Sequence, residues 1–173
     1  MNPPKVSRKV NPKTAATVIR STSKLRPSLA IVLGSGFSSV ADMLENQHAI
    51  PFAQLAGSPK SGVLGHSGKA AIGEFAGTPV LILIGRAHYY EGHSLETVTF
   101  PIRVLAEYGI ETLLLTNAAG AINRKFKPGD FMLFDDHINL IGDNPLRGRI
   151  VIGRERFIDL SKTYDSSLAS QLV

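Results

Sequence analysis

With 173 residues, of which 43% are hydrophobic, the chain is long enough for one globular domain with a core, and it contains no Cys. The composition therefore excludes disorder of the whole chain, disulfide scaffolds and thiolate metal sites. No apolar run approaches the ~20 residues of a membrane span, so we expect a soluble protein with no membrane partner, and the absence of Cys is typical of the cytoplasm.

The net charge of +5 comes from the N-terminal segment. Seven basic residues precede the first acidic residue, Asp42, and the remaining 12 basic residues face 14 acidic ones, so the rest of the chain carries −2. This distribution argues against a nucleic-acid partner. A basic, acid-free N-terminus also fits an organelle transit peptide, but its narrow apolar stripe favours a tail and a solvated helix. We therefore divide the chain into a basic tail and helix over 1–28 and a domain over 29–173.

Apolar runs and helix signals alternate along the chain. The predicted elements are, in chain order, a helix over 12–25, a buried strand over 29–33, a helix over 38–44 with a serine N-cap, an extended connection over 51–68, a strand pair over 70–75 and 79–84, a helix from about Pro101 to Gly109, and buried strands over 112–115 and 131–134. Strands that alternate with helices or long connections predict an α/β fold.

Polar side chains follow the most apolar of these strands. The run 79–84 leads into Gly85, Arg86, Ala87, His88, Tyr89 and Tyr90. Ligands of open α/β sheets bind beyond the carboxyl ends of the strands. Arg86 and His88 are two residues apart, so in extended chain they face the same side, and a guanidinium offers two donors to an anion. The pattern predicts an anion site; a surface ion pair for Arg86 and a structural hydrogen bond for His88 are the alternatives.

Three further segments carry groups that suit a ligand. The turn Gly34-Ser35-Gly36 between a strand and a helix can cradle phosphate or serve only as a tight turn, and Ser39 replaces the third glycine of a dinucleotide fingerprint. The small residues over 117–120 allow close approach of a ligand or close packing. His66 fits a loop or a catalytic role. Asp135, Asp136 and His137 fit acid–base chemistry or a structural network, and the His spacings do not favour a metal.

Together these segments closely resemble the trimeric purine nucleoside phosphorylases. The matching stretches are Gly34-Ser35-Gly36, Gly65-His66-Ser67-Gly68, the segment 85–92, Thr99-Phe100-Pro101-Ile102-Arg103, Thr116-Asn117-Ala118-Ala119-Gly120, Asp136-His137-Ile138-Asn139-Leu140 and Asn144-Pro145-Leu146-Arg147-Gly148. They occur in the family's order and extend from about Leu29 to Tyr164. Methylthioadenosine phosphorylases share the fold, but the Thr-Asn-Ala-Ala-Gly segment resembles the purine nucleoside branch.

The resemblance implies a single-domain nucleoside phosphorylase fold, with a central mixed β-sheet flanked by helices. It implies reversible phosphorolysis of purine ribonucleosides or deoxyribonucleosides to the base and the pentose 1-phosphate in purine salvage, by a homotrimer without metal or organic cofactor. The implied roles are phosphate binding for Ser35, His66, Arg86, His88 and the backbone N–H of Ala118, catalysis for His66 and His88, and sugar binding for Tyr90 and, toward the neighbouring subunit, Phe157.

Family members continue beyond the position of Val173, and that part carries the Glu and Asn that recognise the purine and a Ser of the phosphate site. The sequence therefore leaves base preference open, and we expect little or no turnover of inosine by the 173-residue chain alone. The alternatives are an inactive phosphate- or nucleoside-binding fragment, a methylthioadenosine phosphorylase-like enzyme and, from the glycine turn alone, a dinucleotide-dependent oxidoreductase.

Overall fold

The computed structural model describes residues 11–59, 68–147 and 157–172. Two compact units divide between Ala119 and Gly120. The first unit carries a sheet and its flanking helices, and the second carries one short helix among its described residues. Within these ranges, no helix has the length and apolar character that crossing a bilayer requires.

The sheet of the first unit has five strands in the order β2-β3-β4-β1-β5. Their bounds are Leu29–Leu33 for β1, Glu45–Pro51 for β2, Lys69–Phe75 for β3, Thr78–Ile84 for β4 and Thr112–Leu115 for β5. Strand β1 pairs in parallel with both β4 and β5, whereas β2–β3 and β3–β4 are antiparallel. The predicted mixed sheet is confirmed.

The apolar run of β4 forms the middle of this sheet. Leu81 and Ile82 are fully buried and face opposite sides, because successive side chains of a strand alternate. Leu81 belongs to a core layer shared with the helices, and Ile82 belongs to a smaller cluster that includes Ala41 on the other side. Burial on both faces explains why this strand reads as a continuous apolar run.

Two helices cover the larger core layer. Helix α1 spans Pro12–Ser21, and α3 spans Phe100–Tyr108 after the single turn α2, Leu95–Val98. Asn11 caps α1 by accepting a hydrogen bond from the Lys13 N–H at 2.9 Å. Pro101 lies in the first turn of α3, and Gly109 ends it in the left-handed conformation, as the sequence predicts.

The region after β1 differs from the prediction in two respects. Residues Ser38–Met43 form a 3₁₀ helix rather than an α-helix, and its N-cap is Phe37 without a side-chain cap, so the predicted serine cap is wrong. Strand β2 was not predicted. Its residues Glu45–Ala49 are exposed polar or small side chains, and it exists because β3 supplies its hydrogen-bond partners. The predicted connection over 51–68 contains the 3₁₀ turn Phe52–Gln54, and its residues 60–67 lie outside the described residues.

The second unit corrects one strand prediction. Residues 131–134 form no strand, and Phe131 is 86% exposed. A strand requires a neighbouring strand for its N–H and C=O groups, and the described part of the chain gives this segment none, so its apolar character alone misled the prediction. The helix of this unit is α4, Ser166–Ala169, capped by the Asp165 carboxylate.

Candidate functional site

Three parallel strands, β1, β4 and β5, end side by side, and we call the side of the sheet that their carboxyl ends form the C-terminal edge. In the parallel register Leu33 pairs with Ile84, and Val32 pairs with Leu115. The chain therefore leaves β1, β4 and β5 side by side. The structure brings the turn with Ser35, the segment with Arg86 and His88, and the segment with Ala118 to this edge, as strand-end reasoning predicts.

The turn after β1 has no space for a side chain at its first residue. A Cβ atom on Gly34 would collide with the carbonyl oxygen of Thr116 and lie 2.8 Å from the Cα of Asn117. Gly36 has a φ of 87°, which favours glycine. The Phe37 N–H donates to the Gly34 carbonyl at 3.2 Å and closes the turn. Ser35 is thus exposed at the tip of a tightly packed turn.

Arg86 is half-buried and oriented by the end of β5. Its Nη1 donates to the carbonyl oxygen of Thr116 at 2.9 Å. Among the described residues, the other N–H groups of the guanidinium have no protein acceptor, so they can bind an anion. Gly85, with a φ of 85°, turns the chain out of β4 just before Arg86.

His88 and Tyr90 form a ring pair on the same segment. Their ring centroids are 4.9 Å apart and the ring planes are inclined by 16°. The 3₁₀ turn Tyr89–Glu91, which follows His88, brings these two side chains together. Tyr90 remains 80% exposed, so its ring is open to a ligand on one side.

The geometry of this edge does not test two of the predicted residues. His66 lies outside the described residues. Phe157 belongs to the second unit, where its side chain is 82% exposed. In the same unit, His137 Nδ1 lies 3.1 Å from the Tyr164 hydroxyl, and Asp136 accepts a hydrogen bond from the His137 N–H. These contacts favour the structural alternative for Asp136 and His137.

Sequence reasoning missed two features of the edge. Thr116 joins the three strand ends through its hydroxyl and its carbonyl. Glu91 has a buried Oε2 atom that lies 3.5 Å from His93 Nε2 and has no hydrogen-bond partner within the described ranges. The burial of an acidic side chain in an exposed turn has no local sequence signal. Among the residues described, no three His, Cys, Asp or Glu side chains cluster as metal ligands do.

A separate cleft lies at the opposite end of the sheet. Its volume is about 620 Å³, and its walls are residues 20–26, Asn46, His48 and Glu74. Glu74 pairs with Pro79 at the amino end of β4, far along the strand from Arg86. Arg20 and Arg26 donate to the backbone carbonyls of Tyr108 and Ser23, both at 2.6 Å. Arg20 thus links α1 to the end of α3, whereas Arg26 stabilises its own loop, and the cleft is distinct from the predicted site.

Comparison with known proteins agrees with the resemblance. The chain is 42% identical over 156 residues to purine nucleoside phosphorylase 1 of Geobacillus stearothermophilus, covering 89% of this chain and 57% of that protein. Its identity to purine nucleoside phosphorylase 1 of Bacillus subtilis is 42% over 158 residues, covering 90% and 58%. The chain spans little more than half the length of these relatives.

Solved structures give the same result. Schistosoma mansoni purine nucleoside phosphorylase in complex with adenosine has a TM-score of 0.84 and 37% identity, covering 92% of this chain and 57% of that one. Isoform 2 of the enzyme from the same organism, in complex with cytosine and ribose-1-phosphate, has a TM-score of 0.79 and 36% identity, covering 93% and 58%. The model of the Phosphorylase superfamily matches residues 28–173, which is most of the chain. The chain therefore belongs to the Phosphorylase superfamily.

Proposed function

We propose that this protein is a purine nucleoside phosphorylase and that the sheet edge around Arg86 is its phosphate-binding half. The reaction is the reversible phosphorolysis of purine ribonucleosides or deoxyribonucleosides to the free base and the pentose 1-phosphate, in purine salvage. The observation that carries the proposal is the half-buried Arg86 guanidinium, oriented by Thr116 beside the glycine turn of Ser35. Relatives of the same family bear this name, and one solved relative holds ribose-1-phosphate.

The proposed chemistry needs an oriented dianion. Arg86 supplies a planar pair of donors, and the Ser35 hydroxyl, the His88 imidazole and the Ala118 N–H add further hydrogen-bond donors. Phosphate held below C1′ attacks that carbon while the bond to the base breaks, and its negative charge stabilises the oxocarbenium-like transition state. His88 and His66 hold or release a proton beside the phosphate and thereby set its protonation state. Phosphate is a substrate, and this chemistry needs neither a metal nor an organic cofactor.

The sugar and assembly roles are also part of the proposal. Tyr90 packs against the pentose, which suits a ring that is stacked on His88 and open on its other side. Phe157 closes the pentose site of a neighbouring subunit in a homotrimer, and its 82% exposed side chain suits a role between subunits. The protein acts in the cytoplasm.

Phosphate binding is tested by equilibrium dialysis of the 173-residue chain against radioactive inorganic phosphate. Replacing Arg86 by Ala removes charge-assisted hydrogen bonds and should weaken binding about tenfold to a hundredfold. Arg86→Lys keeps the charge but loses the fork, so we expect an intermediate affinity. Arg124→Ala is the matched control, because it removes the same charge from an exposed site of the second unit. Equal binding by wild type and Arg86→Ala would refute the proposed site.

The products distinguish phosphorolysis from hydrolysis. We expect little or no turnover by the 173-residue chain alone, but any hypoxanthine that it releases from inosine should require phosphate and should appear together with ribose 1-phosphate in equal amounts. Release of hypoxanthine with free ribose, at a rate independent of phosphate, would contradict the proposed reaction.

A further inference from the structure

Thr116 is the residue immediately after β5, and it contacts both neighbouring segments of the candidate site. Its hydroxyl accepts a hydrogen bond from the Gly34 N–H at 2.9 Å and donates to the Val32 carbonyl at 3.1 Å. Its own N–H also donates to the Val32 carbonyl, at 3.0 Å. Its carbonyl accepts from Arg86 Nη1 at 2.9 Å.

Loss of the Thr116 hydroxyl would affect its two hydrogen-bond partners differently. The Val32 carbonyl has two donors from Thr116, so loss of the hydroxyl leaves it with the backbone N–H. The Gly34 N–H, by contrast, depends on the hydroxyl as its acceptor. Gly34 directly precedes Ser35, and the space between Gly34 and the backbone of Thr116 and Asn117 is too small for even a Cβ atom, so the turn is closely packed against the end of β5. The hydroxyl therefore fixes where the turn leaves the sheet.

The carbonyl of the same residue fixes the guanidinium. Arg86 has long, rotatable side-chain bonds, and one hydrogen bond to a backbone group at a strand end restricts their rotation. A single residue thus determines both the position of the Ser35 turn and the orientation of Arg86. The Ser35 turn follows β1 and Arg86 follows β4, and both segments are hydrogen-bonded to Thr116 at the end of β5.

We propose that Thr116 is a positioning residue that sets the spacing between the Ser35 turn and the Arg86 guanidinium, without itself touching phosphate. The consequence for phosphate affinity rests on the proposed function. The spacing matters because donors must converge on the oxygens of one small anion, and misplacement by about 1 Å can cost about a hundredfold.

The test compares three variants of the 173-residue chain. Thr116→Val keeps the shape and removes the hydroxyl, whereas Thr116→Ser keeps the hydroxyl and removes a methyl group. Thr112→Val is the matched control, because Thr112 is on the same strand, is half-buried, and its hydroxyl makes no hydrogen bond within the described residues. For each variant we measure the affinity for inorganic phosphate and the urea midpoint of unfolding. We also measure the hydrogen exchange of the Gly34 amide and the NMR signal of the Arg86 guanidinium.

We expect Thr116→Val to bind phosphate about tenfold to a hundredfold more weakly and to exchange the Gly34 amide faster, because the turn loses its anchor on the hydroxyl. The Arg86 signal should stay as in wild type, because the backbone carbonyl that orients the guanidinium is retained. Thr116→Ser should stay within about threefold of wild type in phosphate affinity, and Thr112→Val should be unchanged at both signals. A Thr116→Val variant that loses stability but keeps both phosphate affinity and the Gly34 exchange rate would overturn the proposal. If the wild-type chain binds no phosphate, the proposed function fails, and the Gly34 exchange rate of the variants still decides whether the Thr116 hydroxyl positions the turn.

Discussion

Gly34 follows β1 and packs closely against the end of the parallel strand β5. The missing side chain leaves room for the turn after β1 to pack on the backbone of Thr116 and Asn117, and the Thr116 carbonyl also accepts a hydrogen bond from Arg86. Position 34 requires glycine because there is no space for a side chain. The positive φ of this turn occurs instead at Gly36.

Replacing Gly34 by Ala should therefore destabilise the fold. The new Cβ would collide with backbone atoms, which cannot rotate away, and such overpacking typically costs about 1–3 kcal/mol of unfolding free energy. Urea unfolding measures the loss. Gly120→Ala is the control, since a Cβ there meets nothing within 4 Å. Equal unfolding midpoints for the two variants would contradict the packing of β1 against β5.

The sequence predicts which residues follow the strands, but it does not predict the long-range contacts that join the strand ends. The positions of Arg86 and Ser35 were predictable, because each follows a buried apolar run after one glycine and the ends of parallel strands share an edge; their role in phosphate binding stays a prediction. Thr116 was not recognised as more than part of a matching segment. Its hydroxyl bonds a residue 82 positions away in the chain, and only the folded register brings the two together.

Helix α1 belongs to the core of the first unit. Ala15, Ala16 and Ile19 are buried against the layer that contains Leu105 and Tyr108 of α3. The sequence predicted this helix, because Asn11 and Pro12 mark its start, but it suggested a solvated one. Two of the three buried residues are alanines, which give a weak hydrophobic signal although they permit close approach of helices.

Ile19→Ala should lower the free energy of unfolding by about 2–5 kcal/mol, because it removes fully buried methyl groups and leaves a cavity. Thr14→Ala, on the exposed side of the same helix, should have an effect within about 0.5 kcal/mol. Chemical denaturation of both variants measures the difference. A loss for Ile19→Ala no larger than that for Thr14→Ala would mean that α1 does not stabilise the core.

Tyr108, at the end of α3, makes the free energy of unfolding depend on pH in the alkaline range. Burial raises the pKa of its phenol above the ordinary value of 10.0, and the charges of Arg26 and Arg20 partly oppose this rise. Because the folded state holds the proton more tightly, this contribution is complete below pH 10 and is lost as the pH rises through the raised pKa.

Tyr108→Phe has no phenol to ionise. Above pH 10 the wild-type chain should therefore lose unfolding free energy more steeply than the Phe variant, and below pH 9 the difference between the two should be constant. Urea unfolding across this range compares the slopes. Parallel slopes above pH 10 would contradict the burial of the neutral phenol.

Strand β2 shows where element prediction fails. Its polar residues lie on the edge of the sheet, where one side of the backbone has no strand neighbour among the described residues, so no apolar pattern reveals it. The central strands were predictable within one or two residues, because burial on both faces demands apolar side chains.

At the scale of the molecule, β5 forms the other edge of the five-stranded sheet, and Leu115 is 58% exposed there. Exposed edge strands favour association. The proposed homotrimer predicts a sedimenting mass of three times that of the 18.6 kDa subunit. Analytical ultracentrifugation over a range of concentrations measures this state. A monomer at every concentration would contradict the assembly that the role of Phe157 requires.

We propose that the carboxyl ends of β1, β4 and β5 form an inorganic phosphate site. The most direct measurement is a phosphate titration of the ¹⁵N-labelled chain followed by NMR. We predict saturable shifts of the Ser35 and Ala118 amides and of the Arg86 and His88 side chains, with no change in residues 20–26 of the opposite cleft. Shifts confined to residues 20–26, or no saturable shift at the strand ends, would contradict a phosphate site at the ends of these strands.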